Sequence, residues 1–291
     1  MRVLLIRFFF VSIMVTIICC CQRPLSITGD WVNPETKFFL SFTDSTVAIW
    51  NWSDFLSYRI EQDVVISKKE DTIKRAGYGE VMRITVNAWD TLLRFQRIGD
   101  TLKIDFFEDT YYNTVVQQKL YRLAPKNTDT FDSILFVSTM YFGNRPAMEL
   151  MIHSDGRTYY HGKQYAEKQG YYSGLLSKNM FETILTKFRQ VDFDKMDSNY
   201  MEGITHAQSR HIVKYDKGKR HHIHVYGFED EPLELNILFR YLMELYKVTD
   251  LKEVSPFTFM DIEKIIPIIP MPPPIPTYLQ NLDSVMEEIA D

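Results

Sequence analysis

From about residue 25 to residue 124 large apolar residues recur at every second position, and no stretch repeats them at helical spacing. Phe38, Leu40 and Phe42 form one such series, Met82, Ile84, Val86 and Ala88 another, and Leu102, Ile104 and Phe106 a third. A period of two puts alternate side chains on one face of a strand, so each series buries one face of a sheet. Gly99-Asp100, between Leu92–Ile98 and Thr101–Phe107, is a two-residue hairpin signal. Eight or nine such strands in about 100 residues predict an up-and-down barrel or a sandwich, and closure into a barrel removes the unpaired strand edges. An aromatic content of 14% suits the same class, because rings fit a pleated, half-buried surface.

At the head of this region stands Ile27-Thr28-Gly29-Asp30-Trp31, which resembles the Gly-x-Trp opening of lipocalin-like domains. The resemblance implies that Trp31 plugs one end of a barrel and that an Arg near the last strand lies across its face. Arg122, in Lys119-Leu120-Tyr121-Arg122-Leu123, is the position that matches; the contact would be a cation–π pair. Gly29, Trp31 and Arg122 are therefore the expected closure residues, with an unrelated sandwich around a core Trp as the alternative. Small barrels either fill their interior or enclose one small ligand. Phe38, Leu40, Phe42, Ile84, Val86, Leu102, Ile104 and Phe106 are the expected inward positions, and their bulk on short strands favours a filled interior. A pocket there would take a small lipid-like or aromatic molecule, since none of these positions is charged.

The first 21 residues read as a targeting segment. Arg2 and Arg7 precede the apolar run Phe8–Ile18, and Cys19, Cys20 and Cys21 follow it. Fourteen residues from Phe8 to Cys21 are too few for a span, which needs about 20, so the run is a signal h-region. An apolar run ending in cysteine resembles the lipobox of bacterial lipoproteins, in which a Cys becomes the acylated N-terminus. Cys20, with Ile17 three before it, fits best; Cys21 fits as well, and Cys19, preceded by Ile18, fits poorly. The resemblance implies a membrane partner through acyl chains, in the envelope of a Gram-negative bacterium and its outer membrane. Several chains anchor stably where a single one does not. The chain holds no other cysteine, so disulfides, Cys-based zinc sites and a catalytic thiol are excluded after residue 21. Loss of Arg2 and Arg7 takes the formal charge from −5 to −7. An acidic chain without a Lys/Arg block argues against nucleic acid as a partner.

Ala124–Thr130 reads as a linker, and beyond it the pattern changes. Ile134–Thr139, Ala147–His153, Thr158–His161 and Gly170–Gly174 read as strands. Ser177 can cap a helix through about Gln190, and Gln208–Tyr215 with Arg220–Tyr226 can form a hairpin. Pro232 suits the first turn of a last helix, with Leu235, Leu238, Phe239, Leu242 and Leu245 inward. The whole of 131–254 predicts an antiparallel sheet with two helices on one face, an α+β layer. Phe142-Gly143, Pro146, the Ser154-Asp155-Gly156 turn, Gly170-Tyr171-Tyr172 and Val225-Tyr226-Gly227 resemble an uncharacterised domain family of bacterial envelope lipoproteins. Many members carry a cysteine pair at the first of these sites, where this chain has Tyr141 and Arg145. The resemblance implies a fold and a cellular setting, and no activity.

Residues 255–291 hold seven of the twelve prolines, six acids and one base. Such a run favours polyproline II, and Tyr278–Ala290 follows as a short amphipathic helix. The tail either docks on its own body or straps an envelope partner. Four of the seven histidines, His211, His221, His222 and His224, fall in the late hairpin. His222 and His224 share a strand face and His211 could join them as a metal ligand, but no carboxylate completes a set; no metal and no cofactor are expected. No catalytic motif is present among nucleophile elbows, zinc-binding helices or phosphate loops, so no catalytic residue is named. The expectation is an anchored, non-enzymatic binding or assembly protein. An enzyme with a site between its two units and a small-ligand carrier are the alternatives.

Overall fold

The computed structural model describes residues 26–49, 55–77, 80–106, 117–139, 145–204, 207–227, 231–259 and 262, with the backbone alone at 69–77, 80–88, 106 and 117. The cysteine run, Tyr141 to Gly143 and the tail beyond Ile262 lie outside the described residues. So do the side chains of Met82, Ile84, Val86, Ala88 and Phe106.

Eight strands close into an antiparallel barrel: β1 (Gly29–Asn33), β2 (Phe38–Phe42), β3 (Thr46–Ile49), β4 (Leu56–Glu61), β5 (Val64–Gly77), β6 (Glu80–Ile98), β7 (Thr101–Phe106) and β8 (Gln117–Arg122). Closure is made by β1 on β8, with Trp31 opposite Arg122. The interior is apolar: Ile27, Trp31, Phe38, Leu40, Phe42, Val47, Ile49, Val65, Phe95, Leu102, Ile104 and Leu120 form one core. A register shift between Val65 and Ile66 leaves Leu92 without a cross-strand partner. The bulge lets two consecutive residues, Leu92 and Leu93, both turn into that core, which regular alternation forbids. Strands β5 and β6 stay paired as far as Gly77 opposite Glu80.

The second unit is an eight-stranded sheet. Its strands are β9 (Ser133–Ser138), β10 (Met148–His153), β11 (Arg157–Gly162), β12 (Gly170–Leu175), β13 (Asn199–Met201), β14 (Ser209–Asp216), β15 (Lys219–Tyr226) and β16 (Leu251–Glu253), in the order β13-β15-β14-β9-β10-β11-β12-β16. Pairing is antiparallel except for β13, which runs parallel to β15. Periodicity does not reveal β13 or β16, because three residues are too short to show a repeat. Both edge strands are that short, which leaves little edge for further pairing.

Two helices cover one face. Helix α1 (Lys178–Gln190) starts at Ser177, whose side chain accepts from Met180 N, and turns Ile184 and Phe188 inward. Helix α2 (Leu233–Val248) starts at Pro232, which sits at the N-cap rather than inside the first turn. Its Leu235, Leu238, Phe239, Leu242 and Leu245 join Ile134, Phe136, Leu150, Ile152, Ile212, Ile223 and Val225 of the sheet in one core. Among the described residues, no helix is long and apolar enough to cross a membrane.

The helices also meet the barrel wall. Val32 and Phe39, which point outward from β1 and β2, pack on Ile237 of α2. Phe55 meets Tyr241 edge-on, with ring centres 5.8 Å apart. Ala124–Thr130 is tied down where it passes α1, through bonds from Lys126 N and Asn127 N to Arg189 O.

Candidate functional site

The barrel end comes first, because three sequence-named residues meet there. Trp31 is fully buried and its Nε1 donates to Ile27 O at 2.6 Å. The Arg122 guanidinium carbon lies 5.8 Å from the Trp31 ring centre, and Arg97, which the sequence did not single out, lies nearer at 5.4 Å. Arg97 also bonds Gly99 O at 3.0 Å and Ser26 O, stitching the hairpin turn to the entering chain. Gly29 has φ +122°, a region side chains rarely adopt, and a Cβ on it would stand 3.4 Å from Arg122 Nη2. The glycine thus supplies the backbone conformation that opens β1, with Arg122 in contact beside it. Two guanidiniums on one indole close the end with a cation–π lid.

A buried ion pair fastens the barrel to the helices. Lys187 of α1 bonds Asp30 Oδ1 at 2.5 Å and Ser41 Oγ at 2.7 Å, and its Nζ lies 5.2 Å from the Tyr241 ring centre. Both charged side chains are almost fully enclosed. Burial would raise the Asp30 carboxyl, but the Lys187 ammonium and the bonds from Lys187 and Ser41 outweigh it and hold the carboxyl below its usual value. Gln190 Nε2 adds a bond to Leu123 O at 3.0 Å. These groups are enclosed and paired with one another, the arrangement of a fastening.

The sheet face turned away from the helices holds the densest polar cluster. Cross-strand register lines up Asn199, His224, His211, Val137, Glu149, His161 and Tyr171 as a single row over seven strands. Beside it runs a second row of His222, Val213, Leu135, Met151, Tyr159 and Ser173. One row is largely polar and the other largely apolar.

At one end of the polar row the three histidines named from sequence do meet. His211 stacks on His224 with ring centres 4.3 Å apart, and its Nδ1 lies 3.1 Å from His222 Nε2. His224 Nδ1 donates to Asn199 Oδ1 at 2.8 Å, which leaves its Nε2 to accept from Ser209 Oγ at 3.3 Å. His221 points to the helix side, edge-on to Phe193. Burial, with His224 and His222 beside it, pushes His211 down to about 3. Burial, then Arg220 and the neighbouring imidazoles, pushes His222 down to about 4, and burial lowers His224. Burial favours the neutral imidazoles, and four of their six ring nitrogens bond one another, Asn199 and Ser209. Among the described residues, no group of three or more His, Cys, Asp or Glu is arranged to hold a metal ion.

At the other end, Glu149 and His161 pair, a contact that sequence reading missed. His161 Nδ1 donates to Glu149 Oε2 at 3.0 Å, Lys163 bonds the other carboxylate oxygen, and the imidazole stacks on Tyr171 at 4.0 Å. Glu149 is buried. The one signal for it was a lone acid in the apolar strand Met148-Glu149-Leu150-Met151-Ile152. Register, which brings His161 opposite it, is not visible in either strand alone. On the helix side, Arg210 pairs with Glu231, and Asn236 bonds the same carboxylate oxygen.

The apolar row is covered by the chain that follows β16. Phe257, Phe259 and Ile262 pack on Leu135, Val137, Val213, Met151, Tyr159 and Tyr215. On the barrel surface, an open hollow of about 770 Å³ is lined by Asp63, Arg94, Phe95, Gln96, Lys103, Ile104, Asp105, Gln118 and Lys119, a largely ionic wall.

Residues 132–246 match the family described as a domain of unknown function, DUF6438, a match over less than half of the chain. No curated protein and no solved structure matches it. The matched residues run from the start of β9 into α2 and include the floor of the two-row face, while the segment that covers its apolar row lies after them.

Proposed function

We propose that this protein is a lipid-anchored binding or assembly component of the cell envelope of a Gram-negative bacterium. It is held in the outer membrane by acyl chains on Cys20, or on Cys21 or Cys19, with a lipocalin-like barrel as the mount. The α+β unit presents the binding surface. The sidedness of the sheet carries the binding part of this reading. One face is committed to the helices, which in turn pack on the barrel, while the other carries a polar row beside an apolar row that only the short segment after β16 covers. Support for the anchor is the Ile17-Ile18-Cys19-Cys20-Cys21 run after an apolar segment. Cells expressing the full chain should yield protein that carries labelled palmitate and partitions into the detergent phase. Replacing Cys19, Cys20 and Cys21 by Ser should abolish the label and release the protein or block its processing. Normal processing with unchanged membrane retention would overturn the anchor.

A second reading, a carrier of a small apolar ligand, draws on the apolar barrel core and on Ser67, whose buried Oγ has no hydrogen-bond partner among the described residues. Saturable uptake of an environment-sensitive apolar dye by the full chain would favour it. An enzyme with its site between the units finds less support, because the ion pair there is enclosed and satisfied.

A further inference from the structure

We propose that the apolar row of the sheet is a groove for an extended peptide segment carrying two aromatic side chains two residues apart, and that residues 256–259, with Ile262, fill it as a displaceable internal stand-in for such a segment of a partner protein. The inference rests on the binding reading above and is independent of the anchor.

The floor is built for aromatic side chains. Phe257 meets Tyr159 at 5.8 Å, Tyr171 at 5.1 Å and Phe259 at 5.0 Å, each edge to face. That is the preferred geometry for aromatic pairs. Phe259 is buried against Leu135, Val137 and Val213, whereas Phe257 is half-buried and Thr258 between them is exposed. The resident segment is thus read as an extended chain, every second side chain down.

Its hold on the sheet comes from side chains. Val254 N donates to Tyr171 O, the last bond of the sheet edge, and the next main-chain bond in the described segment is the local turn from Ile262 N to Phe259 O. Pro256 stands at the departure from the sheet edge, where a missing N–H costs nothing. A segment without main-chain pairing can leave without unzipping a strand.

Floor and cover fall on opposite sides of the end of the family match, which stops within α2 and before β16. Leu135, Val137, Met151, Tyr159, Tyr171, Val213 and Tyr215 all lie within the matched domain, and Phe257, Phe259 and Ile262 lie after it. A tethered plug works at an effective concentration of about millimolar, so an outside segment of the same chemistry competes weakly until the plug is weakened.

The test uses the full chain in detergent micelles and a fluorescent peptide of residues 255–262, Ser-Pro-Phe-Thr-Phe-Met-Asp-Ile, read by anisotropy. The double variant Phe257→Ala, Phe259→Ala should bind it at least tenfold more tightly than the unaltered chain. The same peptide with both Phe replaced by Ala should not bind. Equal or absent binding by a double variant that keeps its cooperative melt overturns the groove. If the double variant loses its fold, Phe257→Ala alone decides by the same criterion, and unfolding of both would show the segment to be core rather than plug. Concentration-dependent dimers of the unaltered chain, lost in the variant, would replace the outside partner by exchange between two copies. Loss of acylation would leave the titration unchanged, so failure of the anchor and failure of the groove are separable.

Discussion

The two units solve the burial of a sheet in opposite ways. The barrel closes on itself, so one sheet supplies both walls of its core. The open sheet has two faces to cover and two edges to end. It uses helices on one face, a segment from outside the matched domain on the other, and three-residue strands at the edges. Ionisable groups follow the same division. In the barrel, Arg97 and Arg122 stay at the rim over Trp31, and Asp30 is buried only on the outer wall, where Lys187 of α1 covers it. In the open sheet, Glu149, His211 and Arg210 are buried on strand faces, each with a named polar partner. A closed barrel keeps its buried polar pair to the one patch of outer wall that the helices cover, whereas an open sheet has a face for a polar row wherever its cover is incomplete.

The strongest challenge to this contrast is at the fastening between the units. Lys187→Met leaves Asp30 buried without its cation, and a broken buried pair costs about 3–5 kcal/mol. The double variant with Asp30→Asn should recover part of that loss, as a double-mutant cycle in urea would show. Additive losses would mean that the pair does not couple the barrel to α1.

Next in size is the barrel lid. Trp31→Phe keeps a ring in place but loses the bond to Ile27 O and part of the face between Arg97 and Arg122. The expected loss is about 2 kcal/mol in stability to urea, with Arg97→Ala and Arg122→Ala each costing less. An unchanged midpoint would show the lid to be ornamental.

The smallest effect expected is the acid response of the open sheet. His211 and His222 have folded values of about 3 and about 4, below the unfolded value near 6.5. The unfolded chain therefore binds protons that the folded chain refuses, and stability falls as pH drops below about 6.5. Between pH 7 and pH 5 His211 contributes at most about 2 kcal/mol of that loss, and the more exposed His222 less. His211→Asn should flatten that part of the pH–stability curve, measured by thermal melts. A barrel-only effect would leave the slope in place.

Much of the fold was legible because it rests on local pattern. Period-two runs marked strands of the barrel, Ser177 and the spacing of Phe181, Ile184, Leu185 and Phe188 marked α1, and the turn at Asp216–Lys219 marked the β14–β15 hairpin. The position of Arg122 against Trp31 followed from one motif and a strand count, and the hairpin alternation placed His222 and His224 together with His221 opposed. These relations span few residues, or rest on closure of a single sheet, and alternation carries them.

The tertiary structure alone decided which strands stand beside which in the open sheet. Strand β9 lies between β14 and β10, so Val137 separates His211 from Glu149 in one row, although they are 62 residues apart in the chain. It alone brought Lys187 to Asp30 across 157 residues, and laid Phe257 on Tyr159. Pairing order and face-to-face packing are settled by long-range burial, which sums over the whole chain. A charged residue on a helix or strand reads as solvent-facing until the element that buries it has found its place, and only then does its partner become visible.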